Sequence, residues 1–151
     1  MTDERSPQPI AVLLVEDDPA DAELLRRAFV RSQIEVQLDH VTTGQDALAF
    51  LRNEGRFADS EPPDIVLLDL QLGPQSGHDV LSRIKEDPAL KRIPVIVLTS
   101  TDDVDEIKKT YQLFANSFVT KPRAFDDYLK LVQALAHFWS GTVRLPPKRR
   151  G

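Results

Sequence analysis

Four apolar segments of the sequence each end abruptly in polar residues. They cover 12–15, 65–68, 95–98 and 118–120. Continuous apolar runs of this length are typical of strands in a parallel sheet whose two faces are both covered. The segment 34–38 instead alternates apolar and polar residues, which predicts a half-exposed strand at the edge of the sheet.

Segments of helical periodicity separate these strands. The predicted helices cover 19–31, a stretch that begins near Thr43, 76–86, 102–113 and 125–139. Parallel strands joined by helices have right-handed crossovers, which restricts the topologies that are possible. We therefore predict a three-layer, doubly wound α/β fold with a five-stranded parallel sheet in the order 2-1-3-4-5.

The length of 151 residues suits one domain. We predict that this domain covers 10–140, after a flexible lead at 1–9 and before a C-terminal extension at 141–151 that is rich in proline and basic residues. The first residues lack the apolar stretch of a signal peptide, and no later run approaches the roughly 20 apolar residues of a membrane span.

Composition narrows the possible partners. A formal net charge of −5 argues against a nucleic-acid surface, because phosphate binding needs clustered basic residues. The absence of cysteine excludes a disulfide framework and fits a reducing compartment. We therefore expect a cytoplasmic protein that binds neither nucleic acid nor a membrane.

Acidic residues follow the first and third predicted strands. Glu16 and Asp17 come directly after one apolar run, and Asp69 comes directly after another. Since ligands bind at the carboxyl ends of parallel strands, these carboxylates should meet at one edge of the sheet and repel each other unless a cation joins them. Oxygen ligands without nearby His or Cys favour a hard ion, so we predict a Mg²⁺ site.

Two further polar residues follow the remaining strands. Thr99 could donate its hydroxyl to a phosphoryl oxygen, and Lys121 could place a positive charge opposite the metal. Asp69 could then act as a nucleophile, since carboxylates that attack phosphorus form acyl phosphates. The sequence thus predicts a phosphoryl-transfer site at this edge.

Five motifs follow one another along the chain: Val-Glu-Asp-Asp-Pro at 15–19, Leu-Leu-Asp-Leu at 67–70, Gly77, Ile-Pro-Val-Ile-Val-Leu-Thr-Ser at 93–100 and Lys-Pro at 121–122. In this order they resemble the receiver domains of response regulators in two-component signalling. The resemblance spans roughly 10–139 and implies a flavodoxin-like receiver fold. It also implies a sensor histidine kinase as partner and a protein that catalyses its own Mg²⁺-dependent phosphorylation and dephosphorylation.

The resemblance implies a role for each matching residue. Asp69 is the phosphoacceptor, Asp17 a direct Mg²⁺ ligand, Glu16 a second acid that acts through water, and the carbonyl group of Gln71 a third protein ligand. The resemblance assigns catalysis to Asp69, Thr99 and Lys121. It also implies that Phe118 is an aromatic switch residue that responds together with Thr99. The Lys121–Pro122 bond is expected to be cis.

Two features refine the resemblance. The family commonly has proline four residues after the phosphoacceptor, whereas this chain has Gly73 there and Pro74 next. The pair Phe138–Trp139, followed by Thr-Val-Arg-Leu-Pro at 142–146, resembles the stand-alone receivers that serve bacterial and cyanobacterial phytochrome kinases. That narrower resemblance implies a homodimer through the fourth helix, the fifth strand and the fifth helix.

Alternatives remain for the individual residues and for the function. Asp17 or Asp18 could simply cap the first helix, Thr99 could satisfy a backbone group, and Lys121 could be a surface charge. The chain could also be a receiver-like interaction or dimerisation module that phosphorylation does not control. A phosphohydrolase is disfavoured because Gln71, and not an acid, stands two residues after Asp69.

Overall fold

The computed structural model describes residues 9–100, 104–115 and 117–137. The predictions for the lead, for the C-terminal extension and for the pair Phe138–Trp139 fall wholly or almost wholly outside these residues. The division of the chain at 10–140 therefore stays a prediction.

A parallel sheet forms the centre of the domain. The strands are β1 (Ile10–Val15), β2 (Val36–Val41), β3 (Ile65–Leu68), β4 (Gln71–Leu72), β5 (Gln75–Ser76), β6 (Val95–Thr99) and β7 (Ser117–Thr120). Five of them form the parallel sheet in the order β2-β1-β3-β6-β7, which is the predicted topology. The sequence pattern placed the edge strand β2 at 34–38, whereas it extends to Val41 because all six of its residues pair with β1.

The described part of the chain has five α-helices, of which the first four lie between strands and the fifth follows β7. They are α1 (Pro19–Arg31), α2 (Gly44–Leu51), α3 (Gly77–Glu86), α4 (Val104–Gln112) and α5 (Phe125–His137), with a short 3₁₀ helix at Gly55–Phe57. The side chains of Asp18, Thr43 and Ser76 accept backbone N–H groups at the starts of α1, α2 and α3. Within the residues described, no helix is both long enough and apolar enough to cross a membrane.

The helices lie on both faces of the sheet. Alternate side chains of the central strands point to opposite faces, so Leu13 and Val66 belong to the core beneath α2 and α3. Their neighbours Leu14 and Leu67 belong to the core beneath α1 and α5. The central strands are therefore buried on both faces, and polar side chains are confined to the ends of the strands.

A small hairpin follows Asp69 and was not predicted. Strands β4 and β5 pair antiparallel around a turn in which Gly73 has a φ of +67°, a left-handed conformation that glycine adopts without strain. Gly77 then starts α3 close to the backbone of Asp69. A Cβ atom on Gly77 would lie 2.4 Å from the Asp69 carbonyl oxygen, so only glycine fits without displacing this loop.

Candidate functional site

The carboxyl ends of four strands meet at one edge of the sheet. Glu16 follows β1, Asp69 follows β3, Thr99 ends β6 and Lys121 follows β7. Backbone hydrogen bonds fix their relative positions: Asp69 N–H donates to the carbonyl group of Val15 at 3.0 Å, and Lys121 N–H donates to that of Thr99 at 2.7 Å. The predicted convergence of these residues is confirmed.

The ammonium group of Lys121 lies among three carboxylates. Its Nζ atom is 2.5 Å from Oε1 of Glu16, 2.9 Å from Oδ2 of Asp21 and 3.1 Å from Oδ2 of Asp69. An ammonium group has three N–H donors, so each carboxylate can accept one. The side chain is 8% exposed, which means that Lys121 is not the surface charge considered as an alternative.

Burial and neighbouring charges shift two pKa values in this cluster. Burial is the main cause that raises the pKa of Glu16, and the hydrogen bond and negative charge of Asp69 raise it further, against the opposing effect of Lys121. Burial alone would lower the pKa of Lys121, but its bonds to Glu16 and Asp21 and the charges of Glu16 and Asp69 raise it overall. Lys121 therefore remains an ammonium ion, while Glu16 is harder to ionise than an exposed glutamate.

Three carboxylates can also hold a metal ion. Glu16, Asp17 and Asp69 each offer an oxygen, and these oxygens lie within 4.8 Å of one another. Asp17 is exposed and lines a surface pocket together with Gln71 and Asp69. Because the donor set is all oxygen and includes two hydrogen-bonded, buried carboxylates beside open solvent, it fits a hard divalent cation that retains water ligands.

The loop after β3 orients Asp69. The backbone N–H of Gln71 donates to Oδ1 of Asp69 at 3.1 Å, while Oδ2 faces Lys121. Each carboxylate oxygen of Asp69 thus has its own donor. These two hydrogen bonds fix the carboxylate in the lining of the pocket.

Thr99 is fully buried at the end of β6, with 0% of its surface exposed. Its Oγ1 atom has no hydrogen-bond partner among the residues that the structure describes. The alternative in which this hydroxyl satisfies a backbone group is therefore wrong. A buried hydroxyl without a partner costs stability, so the position favours a polar group that arrives from outside.

Phe118 lies on β7, half-buried against the core beneath α2 and α3. Its backbone N–H donates to the hydroxyl group of Tyr111 on α4 at 3.2 Å, which links the edge strand to that helix. The expected cis bond at Lys121–Pro122 was wrong, since no described peptide bond is cis. The trans isomer is intrinsically favoured, and from it the Lys121 side chain already contacts Asp69.

Sequence reasoning missed Asp21 and left the cap of α1 open between two residues. Asp18 is that cap, accepting the N–H of Ala20 at 2.8 Å, whereas Asp17 belongs to the group of three carboxylates that could hold a metal ion. Asp21 lies in the first turn of α1 and contacts Lys121. The spacing of four residues from Asp17, across the start of a predicted helix, was a signal that both could face the same pocket.

Comparison with known proteins agrees with this geometry. The family model of the response regulator receiver domain matches residues 12–133. The chain is 42% identical over 146 residues to the response regulator Rcp1 of Synechocystis, covering 97% of this chain and 99% of Rcp1. The similarity therefore extends over nearly the whole length of both proteins.

Solved structures give the same result. The phosphorylated cyanobacterial phytochrome response regulator RcpA has a TM-score of 0.86 at 38% identity, with 93% of this chain and 100% of that chain covered. The Mn²⁺-bound form of Rcp1 has a TM-score of 0.83 at 41% identity, with 92% and 100% covered. A response regulator in red light signalling of R. palustris has a TM-score of 0.87 at 31% identity, with 92% and 99% covered. The chain belongs to the response regulator receiver domains, which act in signalling based on phosphorylation.

Proposed function

We propose that Asp69 accepts a phosphoryl group from the phosphohistidine of a sensor histidine kinase, and that the domain itself catalyses this transfer and the later hydrolysis. One observation carries the assignment: Nζ of Lys121 lies 3.1 Å from Oδ2 of Asp69, in the same strand-end cluster as the buried, unpaired hydroxyl of Thr99. A cation and a free hydroxyl beside a nucleophilic carboxylate suit phosphoryl transfer.

The proposed metal is Mg²⁺, which would be held by Asp17, Asp69 and the carbonyl group of Gln71, with Glu16 acting through water. The spacing of the three carboxylates supports this set, as does the place of Gln71 in the same pocket. When bound, Mg²⁺ would supply positive charge that offsets both the clustered carboxylates and the oxygens of the phosphoryl group.

The proposed reaction moves the phosphoryl group from the phosphohistidine of the kinase to Asp69. A carboxylate oxygen of Asp69 forms a bond to phosphorus as the phosphorus–nitrogen bond of phosphohistidine breaks, and the electron pair of that bond returns to the imidazole. In the later hydrolysis, which ends the signal, a water oxygen forms a bond to phosphorus. The phosphorus–oxygen bond to Asp69 then breaks, which releases inorganic phosphate and restores the carboxylate.

Three other residues would change their contacts when Asp69 is phosphorylated. Lys121 and Thr99 would donate hydrogen bonds to phosphoryl oxygens, and movement of Thr99 would let Phe118 turn further into the core. The half-buried position of Phe118 supports a switch, because the ring already packs partly against that core. Its backbone bond to Tyr111 offers a route from the site to α4.

We further propose a phytochrome-type kinase as the phosphoryl donor, in the cytoplasm where ATP-dependent kinases act. The similarity to Rcp1, to RcpA and to the regulator in red light signalling of R. palustris supports this choice. The proposal includes neither a nucleic-acid nor a membrane partner, in line with the net charge of −5.

The proposal also includes a homodimer through α4, β7 and α5. Exposed apolar side chains on and after α4 support it: Val104, Tyr111 and Phe114, the last of which is 75% exposed. Phe114 has a φ of +68°, which is unfavourable for a bulky residue and is therefore typical of a site with a function. A symmetric contact would bring this patch together from two chains.

Sedimentation of two variants would test the dimer. Phe114→Asn tolerates the left-handed backbone and should weaken self-association at least about fivefold, since a central aromatic typically contributes over 1 kcal/mol. Val30→Asn removes an exposed apolar side chain from α1 and should leave association unchanged. A protein that is monomeric at high concentration, with and without phosphorylation, would contradict the proposed dimer.

Incubation with acetyl phosphate and Mg²⁺ tests the phosphorylation. The unmodified protein should gain one phosphoryl group per chain, and Asp69→Asn should gain none while its circular dichroism spectrum stays the same. An interaction module would not be labelled in either form, and a phosphohydrolase would release phosphate continuously without accumulating label. Stoichiometric labelling of Asp69→Asn would contradict the assignment of the phosphoacceptor.

A further inference from the structure

Asp21 differs from the other two carboxylates that bind Lys121. Glu16 and Asp69 belong to the group whose oxygens lie close enough together to hold a metal ion, and Asp21 does not. Asp21 contacts Lys121 through Oδ2 at 2.9 Å, a shorter distance than the one to Asp69. It is therefore a partner of the lysine that neither the metal cluster nor the phosphoacceptor explains.

The three contacts of Lys121 cannot all survive phosphorylation. Its three N–H donors already serve three carboxylates, so any bond to a phosphoryl oxygen must replace one of them. The proposed function changes the chemistry of Asp69 and draws Glu16 toward the metal. Asp21 is the one partner that neither accepts the phosphoryl group nor takes part in the proposed metal site, so its bond to Lys121 is the one that can persist.

The backbone holds Asp21 in place. It lies in the first turn of α1, and the cap formed by Asp18 fixes the start of that helix. The neighbouring Ala22 and Leu25 are buried against the core, so the helix cannot rotate without exposing them. A carboxylate on such a rigid element can orient a flexible lysine side chain.

We propose that Asp21 is a positioning residue for phosphoryl transfer, which holds one N–H of Lys121 so that the other two point at the phosphoryl group. This role rests on the proposed function. Without Asp21, the long side chain of Lys121 would lose its fixed direction once Glu16 and Asp69 are engaged elsewhere. The consequence would be slower transfer and a weaker response, with no direct loss of metal binding.

Asp18 provides a matched control. It lines the same pocket and caps the helical turn that contains Asp21, where its side chain accepts the backbone N–H groups of Ala20 and Asp21. The described contacts of Lys121 do not include Asp18. Asn is also a good helix cap, so Asp18→Asn removes the same charge and keeps the cap. A purely electrostatic role for Asp21 would give both Asn variants the same effect.

The test measures initial rates of labelling by acetyl phosphate at saturating Mg²⁺, over a range of acetyl phosphate concentrations. Asp21→Asn should lower the limiting rate about tenfold, the size that a charge-assisted hydrogen bond typically controls, and Asp18→Asn should change it less than about twofold. Asp21→Glu retains the carboxylate and should recover part of the rate. Titration calorimetry should give similar Mg²⁺ affinities for the two Asn variants.

The second measurement uses NMR spectra of the backbone amides, recorded with and without beryllofluoride, a phosphoryl mimic. The shifts around Lys121 that the mimic induces should shrink in Asp21→Asn and persist in Asp18→Asn. Equal rates and spectra for the two variants, or faster labelling of Asp21→Asn, would overturn the positioning role while leaving phosphorylation of Asp69 intact. Absence of labelling in the unmodified protein would instead remove the proposed function and this role with it.

Discussion

Nζ of Lys121 lies 3.1 Å from Oδ2 of Asp69, although the two residues are 52 positions apart in the sequence. The strands that precede them, β3 and β7, are separated in the sheet by β6, and all three run in the same direction. Their carboxyl ends therefore meet at one edge. In the unphosphorylated domain this contact offsets part of the repulsion among the buried acids.

Replacing Lys121 with Ala tests how much its ammonium group offsets the repulsion among the buried acids. Without the ammonium group, Glu16 and Asp69 are buried without a counter-ion, so the metal-free protein should lose about 3 kcal/mol of stability. Mg²⁺ should bind at least as tightly as before, since one positive charge is gone, and should restore much of the lost stability. Denaturant unfolding with and without Mg²⁺ measures both effects.

The exposed Lys130 on α5 is the control. Its replacement with Ala should leave the stability of the metal-free protein and its Mg²⁺ affinity unchanged. Lys121→Ala should also fail to show the amide shifts that beryllofluoride induces in the unmodified protein. If the variant and the unmodified protein shifted alike, Lys121 would have no part in the response to phosphorylation.

The two acids that directly follow β1, Glu16 and Asp17, should differ in their effect on metal binding. Asp17→Ala removes a proposed direct ligand and should lower Mg²⁺ affinity about tenfold or more, whereas Glu16→Gln removes an outer acid and should lower it less. Titration calorimetry compares them. Equal affinities in both variants and the unmodified protein would contradict the proposed ligand roles.

Glu16→Gln should also stabilise the metal-free protein, by about 1 kcal/mol. Burial and Asp69 raise the pKa of Glu16, so its ionised form is disfavoured in the folded state at neutral pH. Gln is neutral in both the folded and the unfolded chain, so folding no longer requires a carboxylate to be protonated or buried, and Lys121 stays paired with Asp21 and Asp69. A lower midpoint of denaturant unfolding for Glu16→Gln would show that the bond from Lys121 to Glu16 outweighs the repulsion.

The sequence was sufficient to predict the sheet order and the convergence of Glu16, Asp69, Thr99 and Lys121, because continuous apolar strands have few possible arrangements and their polar ends stand out. It was not sufficient for the hairpin of β4 and β5. Each of those strands has two residues, too few for an apolar pattern to be visible. The contact between Asp21 and Lys121 depends on the direction of side chains across a helix and a loop, which spacing alone does not determine.

Thr99→Val should separate stability from function. Val has nearly the same shape and removes a buried hydroxyl that has no partner in the described residues, so the free energy of unfolding should rise by about 1 kcal/mol. The response of the amide spectrum to beryllofluoride should decrease, because the donor to the phosphoryl group is lost. Unfolding curves and the spectra check the two expectations.

Thr110 is the matched control. It is also fully buried, but its hydroxyl donates to the carbonyl group of Glu106 at 2.8 Å and lies 3.3 Å from Nε2 of His78. Thr110→Val should therefore destabilise the protein by about 1 kcal/mol or more. Destabilisation of the same size in both variants would mean that the Thr99 hydroxyl has a partner in solution.

Gly77→Ala should disturb the loop that holds Asp69. The new Cβ would overlap the carbonyl oxygen of Asp69 and the Cα of Leu70, and backbone atoms cannot yield as a flexible side chain can. We expect a loss of about 3 kcal/mol and a much lower rate of labelling. Gly55→Ala, at a φ of +58° in open space, should cost about 1 kcal/mol from backbone strain alone and leave labelling unchanged.

His78 links α3 to α4 and should make stability depend on pH. Its ring is buried, with Nε2 3.3 Å from the hydroxyl of Thr110 and 3.4 Å from Oε2 of Glu106, and with Nδ1 3.4 Å from the hydroxyl of Ser76. A neutral ring that carries its proton on Nε2 can donate to Thr110 and accept from Ser76. Burial lowers the pKa of His78, an effect that Glu106 opposes and Lys109 reinforces.

A His whose pKa is lowered by folding binds a proton more readily in the unfolded chain. Stability is therefore complete above the unfolded pKa of about 6.5 and falls as the pH drops below it. His78→Leu should remove this part of the pH dependence. Denaturant unfolding between about pH 5 and 8 measures the difference, and parallel curves for the two proteins would show that His78 is not held neutral between the helices.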